Sequence, residues 1–160
     1  MRKEPSQRLP KKAIQVWRIQ NSFDTLFFAL FPVAYGLLGY FFFENLPSWI
    51  LWGLIGVVLL YGLARIVIWP QIQWYRFRYE VLDEEIDIRQ GVVIVRRTLI
   101  PMVRVQHVDT EQGPILRRYK MAAVSITSAA TTHSIPTLFL EDADALRDQI
   151  AELASVNEDE

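Results

Sequence analysis

His107 and Asp109 stand two residues apart in the polar run Arg104–Asp109, the stretch of this chain whose residue types come nearest to acid–base or metal chemistry. In an extended segment alternate residues share a face. Val105, His107 and Asp109 would then point one way, and Arg104, Gln106 and Val108 the other. Two imidazoles and a carboxylate can hold zinc, and the second imidazole of the chain is His133. Nothing in the spacing fixes its distance from His107. A hydrolytic triad needs a nucleophile as well. Ser125, Ser128 and Ser134 are available, yet none lies in a nucleophile motif. Cysteine is absent, which removes thiol nucleophiles, disulfides and cysteine metal sites. No glycine-rich phosphate loop or dinucleotide fingerprint is present. Gln106, His107 and Asp109 therefore read as hydrogen-bonded framework residues of a sheet. Gly113 and Pro114, in Gln112-Gly113-Pro114, read as a shaped turn. No catalytic residue, metal or cofactor is expected.

The remaining chemistry is charge. Arg96, Arg97, Arg104, Arg117, Arg118 and Lys120 crowd one stretch in which Asp109 and Glu111 are the acids. Such a cluster can meet anionic head groups or a partner protein, or it can simply solvate a surface. Over the whole chain 17 basic residues meet 18 acidic ones. With that balance and no reader motif, nucleic acid is not an expected partner.

The elements that must position these residues fall into two parts. Phe23–Phe43 and Leu46–Trp69 are apolar runs, each of about 20 residues, the length of helix that crosses a bilayer core. Glu44-Asn45-Leu46-Pro47 separates them. No small-residue cleavage site follows the first run, so it does not read as a removable signal peptide. The expected organisation is a basic segment over residues 1–20, a two-helix transmembrane hairpin over 21–70, a domain over 71–156 and an acidic tail over 157–160.

Residues 1–20 carry Arg2, Lys3, Arg8, Lys11, Lys12 and Arg18 against Glu4, and Arg65, Arg76 and Arg78 lie near or beyond the end of the second run. Positive charge stays on the cytoplasmic side. Both termini and the domain are therefore expected in the cytoplasm, in a multi-pass protein of the cell membrane. Asp24 and Arg65 fall near the cytoplasmic ends of the helices, where they can pair or reach separately for the interface. Gly36 and Gly39, with Gly53 and Gly56, would permit close helix contact. Pro32 is a site for a kink.

From Trp74 the period changes to two, with Tyr75, Phe77, Tyr79 and Val81 on one face, predicting a half-buried strand. A turn is expected at Leu82–Glu85 and another at Gly91. Ile86–Arg89, Val92–Val95 and Thr98–Ile100 supply strand material, ending near Pro101. Ile115–Tyr119 fits a short helical turn or a loop. Ala122–Ser128 reads as a strand with Val124 and Ile126 inward, and Thr131–Ile135 as another, interrupted by Pro136. The stripe Ala143, Leu146, Ile150, Leu153 and Val156 predicts a C-terminal amphipathic helix, with Asp142 and Asp144 suited to its first turn. The fold class is a membrane α-helical hairpin plus a mainly-β domain, with antiparallel sheets capped by the C-terminal helix.

Two segments carry a resemblance. Tyr79-Glu80-Val81-Leu82-Asp83-Glu84-Glu85-Ile86-Asp87-Ile88-Arg89-Gln90-Gly91 is one. Arg97-Thr98-Leu99-Ile100-Pro101-Met102-Val103-Arg104-Val105-Gln106-His107-Val108-Asp109-Thr110, followed by Gln112-Gly113-Pro114, is the other. Together they resemble the bacterial pleckstrin-homology-like domain of YdbS-like membrane proteins. The resemblance extends over the two apolar helices and the final helix. It implies seven strands in two antiparallel sheets closed by that helix, and two spans before the domain. It also implies a partner, since members often occur beside a longer membrane protein with repeated domains of this type. It does not imply an enzyme. One departure is Arg117-Arg118-Tyr119-Lys120-Met121, where an Arg-Leu-Phe-Gly-like stretch is common.

The expected function is that of a non-enzymatic, membrane-anchored adaptor or assembly module at the cytoplasmic face, in a complex for envelope homeostasis or stress resistance. Its partners would be membrane lipids and another membrane protein with related domains, or a second copy of itself. The alternative is an anionic-lipid sensor using Arg96–Lys120.

Overall fold

The structure, a computed structural model, describes residues 4–41, 47–129 and 131–158. Of the turn expected at Glu44–Pro47, residues 44–46 lie outside them. The chain divides into two compact units, Trp17–Gln71 and the combination of Met1–Val16 with Ile72–Glu160.

The first of these units is helical. Helix α1 is Lys12–Phe41, and α2 is Ser48–Leu63. A π-helical turn, Ala64–Ile68, links α2 to α3, Trp69–Arg76. Lys12–Phe41 and Ser48–Arg76 are both long and apolar enough to cross a membrane, and only 6% of each apolar stretch is buried by protein. A core helix of a soluble protein would be covered; these need lipid. Asp24 and Arg65 do pair, at 3.6 Å, and Asn21 Nδ2 donates to the Arg65 carbonyl at 2.8 Å. The Arg65 guanidinium also lies 5.3 Å from the Trp69 ring centre.

Close helix approach occurs at a glycine the spacing argument did not single out. A Cβ on Gly62 would meet Thr25 Cγ2 at 2.8 Å, whereas Gly53 and Gly56 have nothing within 4 Å. The absent side chain thus allows local contact at Gly62. Helix α1 runs on through Pro32.

The second unit is built on two three-stranded antiparallel sheets. Strands β1 (Arg78–Val81), β2 (Glu85–Gln90) and β3 (Arg96–Pro101) form one, in that order. Strands β4 (Val105–Glu111), β5 (Met121–Ser128) and β6 (Thr132–Phe139) form the other. A 3-10 turn, Met102–Arg104, joins the sheets, the short helix α4 (Pro114–Arg118) joins β4 to β5, and helix α5 (Leu140–Glu158) closes the domain. Phe77, Ile86, Ile88, Ile100, Met102, Met121, Val124, Ile126, Ile135 and Leu138 fill the core with Ala143 and Ile150. Burying each large aliphatic side chain contributes about 1.5–3 kcal/mol. Val156, the last member of the α5 stripe, is exposed.

Four expectations change. Trp74–Arg76 is helix rather than strand, because the second apolar helix simply continues; β1 begins at Arg78. Val92–Val95 is a bend and loop, exposed from Val93 on, rather than strand, so the described residues hold six strands instead of seven. Pro136 lies within β6 instead of ending a strand, because β6 is an edge. A register shift between Ala122 and Val124 there accommodates Pro136 and Thr137, the latter at φ 60. Finally, the N-terminal segment is part of the domain. Gln7 bridges Tyr79, Trp74 Nε1 donates to the Leu9 carbonyl at 2.8 Å, and Leu9, Ala13 and Val16 are buried.

Candidate functional site

The sheet register decides the acid–base question first. His107 pairs with Thr127, while His133 pairs with Ile126. Thr127 and Ile126 are successive residues of β5, so they point to opposite faces, and their partners do likewise. The two histidines are thus on opposite faces and on the two outer strands. His133 Nε2 lies 2.9 Å from Thr131 Oγ1. His107 and Asp109 share an exposed face of β4. Among the described residues no three His, Asp or Glu side chains come together as metal ligands. A register shift between Val105 and His107 breaks the alternation expected there, leaving Gln106 without a cross-strand partner in the register. Arg104 belongs to the preceding 3-10 turn.

The basic residues are spread over several elements. Arg96 and Arg97 open β3, Arg104 ends the 3-10 turn, Arg117 and Arg118 end α4, and Lys120 follows at φ 53. Arg97 is committed to Asp87: Nη2 donates to Oδ2 at 2.6 Å, and Nε lies within 3.1 Å of both carboxylate oxygens. This hydrogen bonding raises the Arg97 pKa, working against desolvation. Asp87 is 4% exposed, so the pair satisfies a buried charge. Gly113 and Pro114 lead into α4, with Pro114 in its first turn, where its missing N–H costs nothing.

Three clefts among the described residues bear on function. One, of about 520 Å³, lies between β4 and α5, lined by Val105, Gln106, His107 and Val108 on one side and Ala151, Ala154 and Ser155 on the other. Here β4 is a sheet edge that pairs with β5 alone among the described strands. Small residues on α5 leave room alongside it. An edge strand beside a groove offers backbone hydrogen bonds and side-chain space to an incoming extended segment. The wall is fixed lower down α5, where Arg147 Nη1 donates to Asp144 at 3.1 Å and Thr110 Oγ1 to the same carboxylate at 3.3 Å.

The second cleft, of about 370 Å³, is lined by Glu4, Tyr75, Arg76, Arg78, Arg89 and Val95. Its basic character was not read from the sequence as a site. The signal was divided between segments: Arg78 and Arg89 become direct neighbours only through the β1–β2 register. The third, of about 340 Å³, has a mixed lining that includes Arg8, Tyr79, Phe139 and Asp142. Burial, and then Asp142, raise the Tyr79 pKa. None of the six residues from Arg96 to Lys120 lines these three clefts.

Comparison with known proteins agrees with this architecture. Residues 26–154 match the family model of the bacterial PH domain. The chain is 44% identical to UPF0699 transmembrane protein YdbS of Bacillus subtilis (strain 168), covering all of this chain and 99% of that protein. A further 75 residues' worth of similarity, at 27% identity, links 47% of this chain to 14% of UPF0699 transmembrane protein YdbT of the same organism. No solved structure matches.

Proposed function

This chain belongs to the bacterial PH-domain family and is a membrane protein by its two apolar helices and its full-length relative; from that premise we propose that it is a non-enzymatic assembly module. The helices anchor the domain at the cytoplasmic face, and the domain docks another membrane protein of related type. The observation that carries this reading is the β4–α5 groove, an open strand edge with small residues beside it. A partner segment can add to β4 through main-chain hydrogen bonds and place alternate side chains against Ala151 and Ala154. The similarity to a short part of YdbT supports a related domain in a longer transmembrane protein as the kind of partner. A complex serving envelope homeostasis or stress resistance is the process we assign to it.

The charge distribution supports the orientation: basic residues flank the helices at residues 1–20 and at Arg76 and Arg78, while Glu44 carries the charge of the connecting turn. Because the chain has no cysteine, a single cysteine at Glu152 reports it directly. In intact cells a membrane-impermeant maleimide should leave it unlabelled; labelling there would reverse the topology.

Purification of the full-length protein from native membranes in mild detergent tests the docking. A stoichiometric membrane-protein partner should co-purify and be lost in Ala154→Arg, which fills the groove. It should survive charge reversal at Arg117, Arg118 and Lys120. Anionic lipid retained without such a partner, and lost on that reversal, would favour lipid sensing by the Arg96–Lys120 region. That alternative has less support, because Arg97 is held by Asp87 and none of the group lines these three clefts.

A further inference from the structure

The β2–β3 hairpin ends in Gly91-Val92-Val93-Ile94-Val95, and its apolar side chains face water: Val93 is 79% exposed, Ile94 71% and Val95 41%. Isolated exposed valines need no explanation, but three large apolar side chains in succession at a loop tip do. This tip is a built structure. Gly91 sits at φ 120, and a Cβ there would lie 2.0 Å from the Ile94 carbonyl oxygen. Arg76 Nη1 donates to the Val92 carbonyl, tying the loop to the end of α3.

The tip also borders the arginine cleft. Val95 is in its lining together with Arg76, Arg78 and Arg89. Arg78 and Arg89 lie directly opposite each other across β1 and β2, an arrangement that repels unless negative charge is supplied. Glu4 pairs with Arg89 and is the one carboxylate of the lining among the described residues, against three guanidiniums. The site therefore has a deficit of negative charge. Guanidinium forks match phosphate oxygens well. Phosphate beside a hydrocarbon boundary is the chemistry of a phospholipid surface, and Tyr75 and Arg76 follow Trp69 by about two helical turns.

We propose that the β2–β3 tip and the arginine cleft form a second membrane contact for an anionic phospholipid bilayer. Val93 and Ile94 enter the acyl boundary, and Arg76, Arg78 and Arg89 take up lipid phosphate. This surface shares no residue with the β4–α5 groove, so it stands or falls separately from partner docking. It would fix the domain against the leaflet, leaving the groove free.

The natural absence of cysteine permits a clean test. Full-length Ile94→Cys, labelled with an environment-sensitive fluorophore, is reconstituted into nanodiscs of phosphatidylglycerol and phosphatidylcholine, or of phosphatidylcholine alone. Glu152→Cys on α5 is the control position. In the anionic discs the Ile94 probe should shift to the blue and be quenched by doxyl-labelled acyl chains, with Glu152 unchanged. Each arginine near an anionic surface contributes about fivefold to such an equilibrium. Arg78→Gln with Arg89→Gln should therefore reduce docking about 25-fold, with the far-ultraviolet spectrum retained. A water-exposed probe in both discs overturns the proposal. So does a blue shift without doxyl quenching, which would mean a protein contact. Equal insertion in neutral discs overturns the role of the arginines, and a response to inorganic phosphate in neutral discs would assign the cleft to a soluble anion instead.

Discussion

Gly91→Ala should rebuild the tip of the β2–β3 hairpin while leaving the domain folded. The backbone there has φ 120, a region that side chains rarely adopt. The added Cβ would meet Ile94 O at 2.0 Å, Ile94 C at 3.0 Å and Val95 Cα at 3.3 Å. All three are backbone atoms, so no rotamer change relieves the clash. Strain of this kind costs about 1–3 kcal/mol, and with the overlap added we take the upper end, about 3 kcal/mol. A domain stable by roughly 5–15 kcal/mol survives that. The economical response is local: Val92–Val95 changes conformation and the Arg76 bond to the Val92 carbonyl is lost. Hydrogen exchange on the full-length protein in nanodiscs reads this directly. Amides of residues 92–95 should exchange faster, those of β5 should not, and the apparent Tm should fall by about 12 °C if the full strain is felt globally. Unchanged exchange at the tip together with an unchanged Tm would show that this glycine does not hold the stated conformation, and the built character of the tip would go with it.

Gly62→Ala should weaken the helical unit by about 1 kcal/mol through overpacking, because Thr25 is held by its hydrogen bond to the Asn21 carbonyl at 2.8 Å and must yield. Adding Thr25→Ser, which removes the clashing methyl, should restore resistance to denaturing detergent; no rescue would remove this contact from the account. Arg97→Ala should lower the Tm by stranding the buried Asp87 carboxylate, and Arg97→Met with Asp87→Leu should recover part of the loss; equal Tm for Arg97→Ala and the parent would contradict the pairing. Tyr79 binds its proton more tightly folded than unfolded, so its contribution is complete below the ordinary pKa of 10.0 and is lost as pH rises through the raised folded value. Thermal melts between pH 9 and 11 should show that decline in the parent and less of it in Tyr79→Phe; identical slopes would refute the assignment.

Much of the architecture was legible because single segments carried it. The two apolar runs have membrane length without any partner being known. The stripe Ala143, Leu146, Ile150 fixes the buried face of α5, and Val124 with Ile126 fixes that of β5. Gly91 announced a turn, and the structure places it at φ 120. What escaped depends on distant segments meeting. Trp74–Arg76 alternates like a strand, but it continues a helix already formed, and the Trp74 indole is held by the Leu9 carbonyl. Leu9, Ala13 and Val16 are buried in a segment whose lysines and arginines advertised only charge. Pro136 reads as a breaker until the register shows β6 itself bulging there, with Pro136 and Thr137 opposite Ala123. The arginine cleft needs the N-terminal segment, α3 and the β1–β2 register together, which no local pattern contains.

The central claim is that the β4–α5 groove receives a segment of another membrane protein. A photo-crosslinking amino acid at Gln106, in the full-length protein in its native membrane, tests it most directly, with Arg118 as the position outside the groove. The account predicts an adduct at Gln106, absent at Arg118 and in the Ala154→Arg background, joining the groove to a membrane protein that carries a related domain. Adducts at Gln106 with lipid alone, or adducts equal at both positions, would contradict it.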